Sequence, residues 1–131
     1  MGWWPFKKRM FWPRLQRGRQ AEALARALLQ TNGYVVEQVN ARFPVGEIDV
    51  VAREGPTLCF IEVRSTSSQQ WGGPLGSITD RKRRRLVHAA AWYLRYRKAE
   101  PDQVRFDVVA IEWRAGAEPA ASLIRGAFTA D

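Results

Sequence analysis

Three acids and a guanidinium stand in two short stretches that alternate like strands. Gly46-Glu47-Ile48-Asp49-Val50-Val51 is followed by Leu58-Cys59-Phe60-Ile61-Glu62-Val63-Arg64, and both are rich in β-branched and aromatic residues. Between them, Arg53-Glu54-Gly55-Pro56 supplies charge, Gly and Pro, the makings of a tight connection. The simplest pairing is a hairpin. Side chains alternate along a strand, so Glu62 and Arg64 should share a face with Leu58 and Phe60, and Glu47, Asp49 and Val51 should share one on the first strand. Asp and Glu are rarely buried without a partner. One reading leaves these acids as exposed charges on a half-solvated sheet. The other gives them a divalent cation, because hard cations take carboxylate oxygens. Acids to hold a cation, with a fixed positive charge near the attacked phosphate, are what metal-assisted phosphodiester chemistry requires.

The elements that position this pair follow from periodicity. From Gly18 to Asn32, Ala21, Leu24, Ala25, Leu28 and Leu29 recur at helical spacing, and Asn32-Gly33 ends the helix. Glu22 lies at the flank of that stripe, where an acid also suits the helix dipole. Tyr34 to Val39 reads as a strand, and Asn40 to Pro44 as the turn into the hairpin, giving a three-stranded meander. Ser65 to Gly76 is a loop rich in Ser, Gln and Gly. A second helix runs from about Thr79 to Lys98, with Leu86, Ala89, Ala90, Tyr93 and Leu94 as its buried stripe. Its first turns carry Arg81, Lys82, Arg83, Arg84 and Arg85, opposed only by Asp80. Such a run works against the helix dipole. It is either a solvated basic face or a place where phosphate meets free helix N–H groups. Lys82, one turn before Leu86, extends the stripe toward the sheet. Val104 to Ile111 alternates as a fourth strand, and its strand–helix–strand connection favours parallel pairing with an earlier strand. Ser122 to Ala127 reads as a short last strand.

A chain of 131 residues makes one domain with a real core. Its formal net charge of +8 favours polyanionic partners, nucleic acid or an anionic membrane surface, without choosing between them. The single cysteine, Cys59, permits no internal disulfide and sits mid-strand as a small hydrophobe, and the lone His88 argues against zinc. Residues 1–17 form an arm in which Trp3, Trp4, Phe6, Phe11 and Trp12 mix with Lys7, Lys8, Arg9, Arg14 and Arg17. Three readings fit it: stacking on unpaired bases, lying on an anionic membrane, or an extension without a partner beyond its own domain. Its apolar run is too short and broken for a signal peptide or a membrane span, which implies a cytoplasmic protein.

Gly46-Glu47-Ile48-Asp49, Phe60-Ile61-Glu62-Val63-Arg64 and Arg105-Phe106-Asp107-Val108-Val109 resemble the motifs of the YraN family of small bacterial proteins. The resemblance extends from about Gly18 to Phe128. It implies an α/β fold, a central mixed sheet flanked by helices in the restriction-endonuclease-like manner, occupying residues 18–131. It also implies a metal-dependent nuclease distantly related to archaeal Holliday junction resolvases, acting on DNA, branched DNA included, and acting as a homodimer. Asp49 and Glu62, joined by Glu22 from the first helix, would hold Mg²⁺ or Mn²⁺. The superfamily pattern has Lys where this chain has Arg64, and a further basic residue where it has Thr66. Arg stays protonated and cannot act as a general base, but it can clamp a phosphate in bidentate fashion. Lys82 matches a Lys of YraN-like sequences and could supply the missing amine. The alternative is a non-catalytic adaptor, binding nucleic acid or a membrane surface, that keeps the nuclease fold.

Overall fold

The computed structural model describes residues 14–67 and 78–130, the side chains of 14–17 excepted. The aromatic stretch of the arm up to residue 13 and most of the Ser65–Gly76 loop lie outside the described residues. Seven elements follow in order: α1 (Arg14–Thr31), β1 (Val35–Phe43), β2 (Gly46–Glu54), β3 (Thr57–Thr66), α2 (Asp80–Arg97), β4 (Gln103–Glu112) and β5 (Ala120–Phe128). The strands form one mixed sheet in the order β1-β2-β3-β4-β5, antiparallel except for the parallel β3–β4 pair that α2 connects.

Each helix covers one face with the stripe its spacing dictates. Ala21, Ala25 and Leu29 of α1 are buried on Val50, Ala52, Cys59, Ile61, Val109 and Ile111. On the opposite face, Leu86, Ala89, Ala90 and Tyr93 of α2 are buried on Ile48, Val51, Leu58, Phe60 and Phe106. Gly33, at a φ of 86°, takes the left-handed position after α1, and the Tyr34 amide returns to the Leu29 carbonyl. Thr79 caps α2, its hydroxyl accepting the Lys82 amide at 3.2 Å, and Lys98 ends that helix in the left-handed region.

Four expectations change. Helix α1 begins at Arg14, so the last residues assigned to the arm are helical. Strand β1 continues through residues 40–43 to Phe43, and the turn is only Pro44-Val45. Strand β5 has nine residues, a full partner for β4. The fourth change concerns faces. Val39 and Val50 pair with each other and pack toward α1, whereas Ala41 and Ile48, also paired and two residues on in each strand, pack toward α2. An unbroken strand would keep residues two apart on one face. Asn40, at a φ of 51°, lies in the left-handed region within this step, and Asp49 is the β2 residue within it. Asp49 and Val51 therefore do not share a simple strand face. Nearer its start, β1 also shifts register between Val36 and Gln38, with Glu37 as the extra residue.

Candidate functional site

The β2–β3 pairing runs from Glu54↔Thr57 to Val50↔Ile61 and stops there. At the next step Asp49 would face Glu62. Instead the Asp49 carboxylate enters the gap, and its Oδ2 accepts the Val63 backbone amide at 2.8 Å. One main-chain donor is thus satisfied by a side chain at the point where the strands part. Both acids are largely withdrawn from water and lie within hydrogen-bonding reach of each other. Burial, and next the charge of Glu62, push Asp49 up to about 7, against the pull of the Val63 amide. Burial also raises Glu62, although Arg64, Asp49 and Lys82 each draw it down. Burial and the nearness of the two acids thus both favour the neutral form of Asp49 over a pair of bare carboxylates.

Two cations attend Glu62. Arg64, two residues along β3, places Nη1 at 3.7 Å from Glu62 Oε1, both side chains about four-fifths buried. Lys82 is exposed on the first turn of α2, and its charge still acts on Glu62. Glu22 is also exposed. It lines a cavity of about 210 Å³ between α1 and the sheet, together with Arg26, Asp49, Val63 and Ser65. The structure therefore brings Asp49, Glu62 and Arg64 together, leaves Lys82 acting on Glu62 through its charge, and puts Glu22 on the lining of the same cavity as Asp49. Among the described residues, no three His, Cys, Asp or Glu stand close enough to hold a metal by themselves. Arg81, Arg83, Arg84 and Arg85 are exposed with Lys82 along the start of α2. The hairpin rests directly on this turn: a Cβ at Gly46 would meet the Arg85 carbonyl oxygen at 3.3 Å.

The residues present fit a hard divalent cation. Mg²⁺ is commonly held by one or two carboxylates, with water and substrate phosphate completing its shell. Burial and Glu62 together push Asp49 toward its neutral form, a penalty that a bound cation would relieve. Arg26 and Ser65 were not foreseen in this cavity. The four-residue step from Glu22 to Arg26 was the one signal for the first, and nothing local pointed to the second.

A second ionic cluster stands on the α1 side of the sheet. Asp107 is fully buried and accepts from Arg105 Nε at 2.8 Å, Arg105 Nη2 at 2.9 Å, the Tyr34 hydroxyl at 2.7 Å and the Gly126 amide at 2.9 Å. Arg105 continues to Glu54 at 2.6 Å, and Arg125 grips both oxygens of the same Glu54. Burial opposes charge on Asp107, but Arg105, Gly126 and Tyr34 outweigh it and hold the acid below its usual range. The hydrogen bonds of Arg125, and then of Arg105, bring Glu54 down to about 2. Burial, and next Asp107, push the Cys59 thiol up to about 12, so this cysteine is an inert neighbour.

A mixed five-stranded sheet with a helix on each face, parted at its centre beside paired acids, is an α/β domain of the restriction-endonuclease-like kind. The sequence model of the family described as Uncharacterised protein family UPF0102 matches residues 21–111. A UPF0102 protein of Desulfosudis oleivorans is 41% identical over 118 residues, covering 90% of this chain and 94% of its own. One from Moorella thermoacetica is 47% identical over 117 residues, 88% of this chain and 97% of its own. The chain belongs to the UPF0102 family, the YraN family its motifs resemble. The matched span contains Glu22, Asp49, Glu62, Arg64 and the basic run. No helix among the described residues is long and apolar enough to cross a membrane.

Proposed function

We propose that this protein is a divalent-metal-dependent nuclease that hydrolyses phosphodiester bonds in DNA. One observation carries the reading: two acids meet in the parting of β2 and β3, Asp49 held by the Val63 amide and Glu62 by Arg64 at 3.7 Å, where burial opposes their joint ionisation. Asp49 and Glu62 would hold Mg²⁺ or Mn²⁺, with Glu22 reaching it through water in the cavity. When bound, the cation would polarise the phosphate and lower the pKa of water. The Val63 amide fixes one oxygen of Asp49 and leaves the other for the cation. Arg64 remains protonated throughout, so it orients the scissile phosphate and offsets its charge, and it removes no proton. Lys82, whose charge reaches Glu62 from the first turn of α2, would be the amine that exchanges a proton with water or the leaving oxygen. The basic turn from Arg81 to Arg85 holds the flanking phosphates.

The test is a panel of labelled duplexes, flaps, four-way junctions and single strands incubated with Mn²⁺. Wild type should cut at least one substrate, Asp49→Ala and Glu62→Ala none, and Arg64→Lys should retain cleavage. Lys82→Ala should lose it if the lysine carries the proton. Cleavage by no substrate above the Asp49→Ala background would replace the nuclease by a binding protein that keeps the fold.

A further inference from the structure

The outer face of α2 carries an aromatic platform remote in function from the acids. Trp92 and Tyr96 remain 45% and 70% exposed, although large apolar side chains are ordinarily covered. Phe43, at the end of β1, supports both, with ring centroids 6.3 Å from each. The two rings are thus held in place from beneath and open outward. Trp92 stands between two concavities. One, of about 310 Å³, is lined by Val45, His88 and Arg95; the other, of about 470 Å³, by Arg42, Phe43, Arg95 and Tyr96. Both fall in the size range of small-molecule pockets, roughly 300–1,000 Å³. Among the described residues, no acid lines either one. Arg42 meets Glu47 at 3.4 Å, but its side chain is 79% exposed.

The platform continues the basic turn. Residues four and then three apart lie on one helix face, so Arg81, Arg85, His88, Trp92 and Arg95 form a single outward line. At 1.5 Å per residue that line is roughly 20 Å long. Cations at one end, a supported indole and phenol at the other, and a further Arg between them match the two needs of an unpaired strand: phosphates held by charge and bases stacked on rings. A second copy of the chain is a poor occupant, because a two-fold contact would lay one Arg-bearing line with no acid in its concavities against another of the same charge. We infer that this face of α2 binds a single-stranded segment of nucleic acid, with a base stacked on Trp92 and the adjoining phosphates on Arg95 and the Arg81–Arg85 turn. The inference rests on nucleic acid being the partner in the proposed function, and it narrows the substrate to one with an unpaired stretch.

The experiment measures binding of the full chain to a labelled oligothymidylate and to a duplex of the same length, by anisotropy in EDTA. Trp92→Ala should weaken single-strand binding by roughly fivefold to a hundredfold, the range for loss of one stacked base. It should change duplex binding less than about twofold, since paired bases are already stacked. Trp92→Phe should recover most of the loss, and Tyr96→Ala should reproduce part of it. Melting of each variant is recorded alongside, and Trp92→Phe keeps the comparison valid should the alanine variant fold poorly. Equal loss on both nucleic acids, no loss on the single strand, or no binding by wild type overturns the inference. So does a Trp92→Ala phenotype confined to phosphatidylglycerol vesicles or to dissociation of a dimer. Because no divalent cation is present, binding can succeed while cleavage fails, and the reverse.

Discussion

Asp107 and Asp49 flank the same stretch of β3 and meet opposite fates. Ile61 pairs with Asp107 on one side and with Val50, the neighbour of Asp49, on the other. Asp107 is the more deeply buried, yet Arg105, Tyr34 and the Gly126 amide supply every partner its charge needs. Asp49 has one backbone amide and an acid for a neighbour. Burial is therefore not what separates them. A closed network fixes the sheet, and an unclosed one leaves the unmet charge on which the proposed cation site rests.

The largest expected effect tests the closed side. Asp107→Asn should cost roughly 3 kcal/mol, the lower end for a broken buried pair because Arg105 keeps Glu54. The sign with pH follows from the depressed acid. Its contribution is present above the unfolded carboxylate range and is lost as pH falls toward the folded value. The variant should therefore lack part of the wild-type acid-unfolding limb, as read by denaturation at several pH values. An unchanged melting curve would make the two acids equivalent and dissolve the contrast.

On the open side, free Mn²⁺ at about a hundred times its dissociation constant should stabilise the fold by about 2.7 kcal/mol by mass action. Thermal melting at about pH 8 should show the shift in wild type and lose it in Asp49→Asn, and protonation of the pair should diminish it at about pH 5.5. Without metal the same substitution should have the opposite sign to that at Asp107. Asp49 is raised to about 7, so the native state binds more protons than the unfolded chain between the two pKa values. Native stability then declines as pH rises through that window. Asp49→Asn keeps an acceptor for Val63 and removes the repulsion, so it should stabilise the metal-free protein at about pH 8 by roughly 2 kcal/mol. Urea titration of the two proteins at that pH checks it, and a destabilised variant would contradict the unmet charge.

The smallest effect sharpens the boundary of the site. Glu22 is exposed, so Glu22→Gln should move metal-free stability by less than about 0.5 kcal/mol. It should weaken Mn²⁺ binding only a few-fold if it acts through water. Loss equal to that of Asp49→Asn would show α1 closing on the pair as a third direct ligand.

Much of the frame was legible because local rules and tertiary packing agree. The stripes at Ala21–Leu29 and Leu86–Tyr93 are the helix faces buried on the two sides of the sheet. Thr79 and Lys98, the predicted limits of α2, are its caps. Strict alternation failed where the backbone departs from it. Asn tolerates a left-handed φ, but nothing local announces that Asn40 takes one inside a strand and lets paired strands exchange faces. The Asp107 motif was visible as a string, but its partners come from chain positions up to 73 residues away. Sequence spacing could not show that closure. The nearness of Asp49 and Glu62 was legible from the hairpin, whereas the distance of Glu22 depends on how far small residues such as Ala21 and Ala25 let α1 approach the sheet.

The central claim is that the unmet pair is a cation site. Calorimetric titration of Mn²⁺ into EDTA-stripped protein at about pH 6, repeated in buffers of different ionisation enthalpy, counts bound metal and released protons together. The account predicts one saturable site in wild type, release of about one proton per metal as the proton on Asp49 leaves, and neither in Asp49→Asn. Binding that survives Asp49→Asn, or that releases no proton, would contradict it.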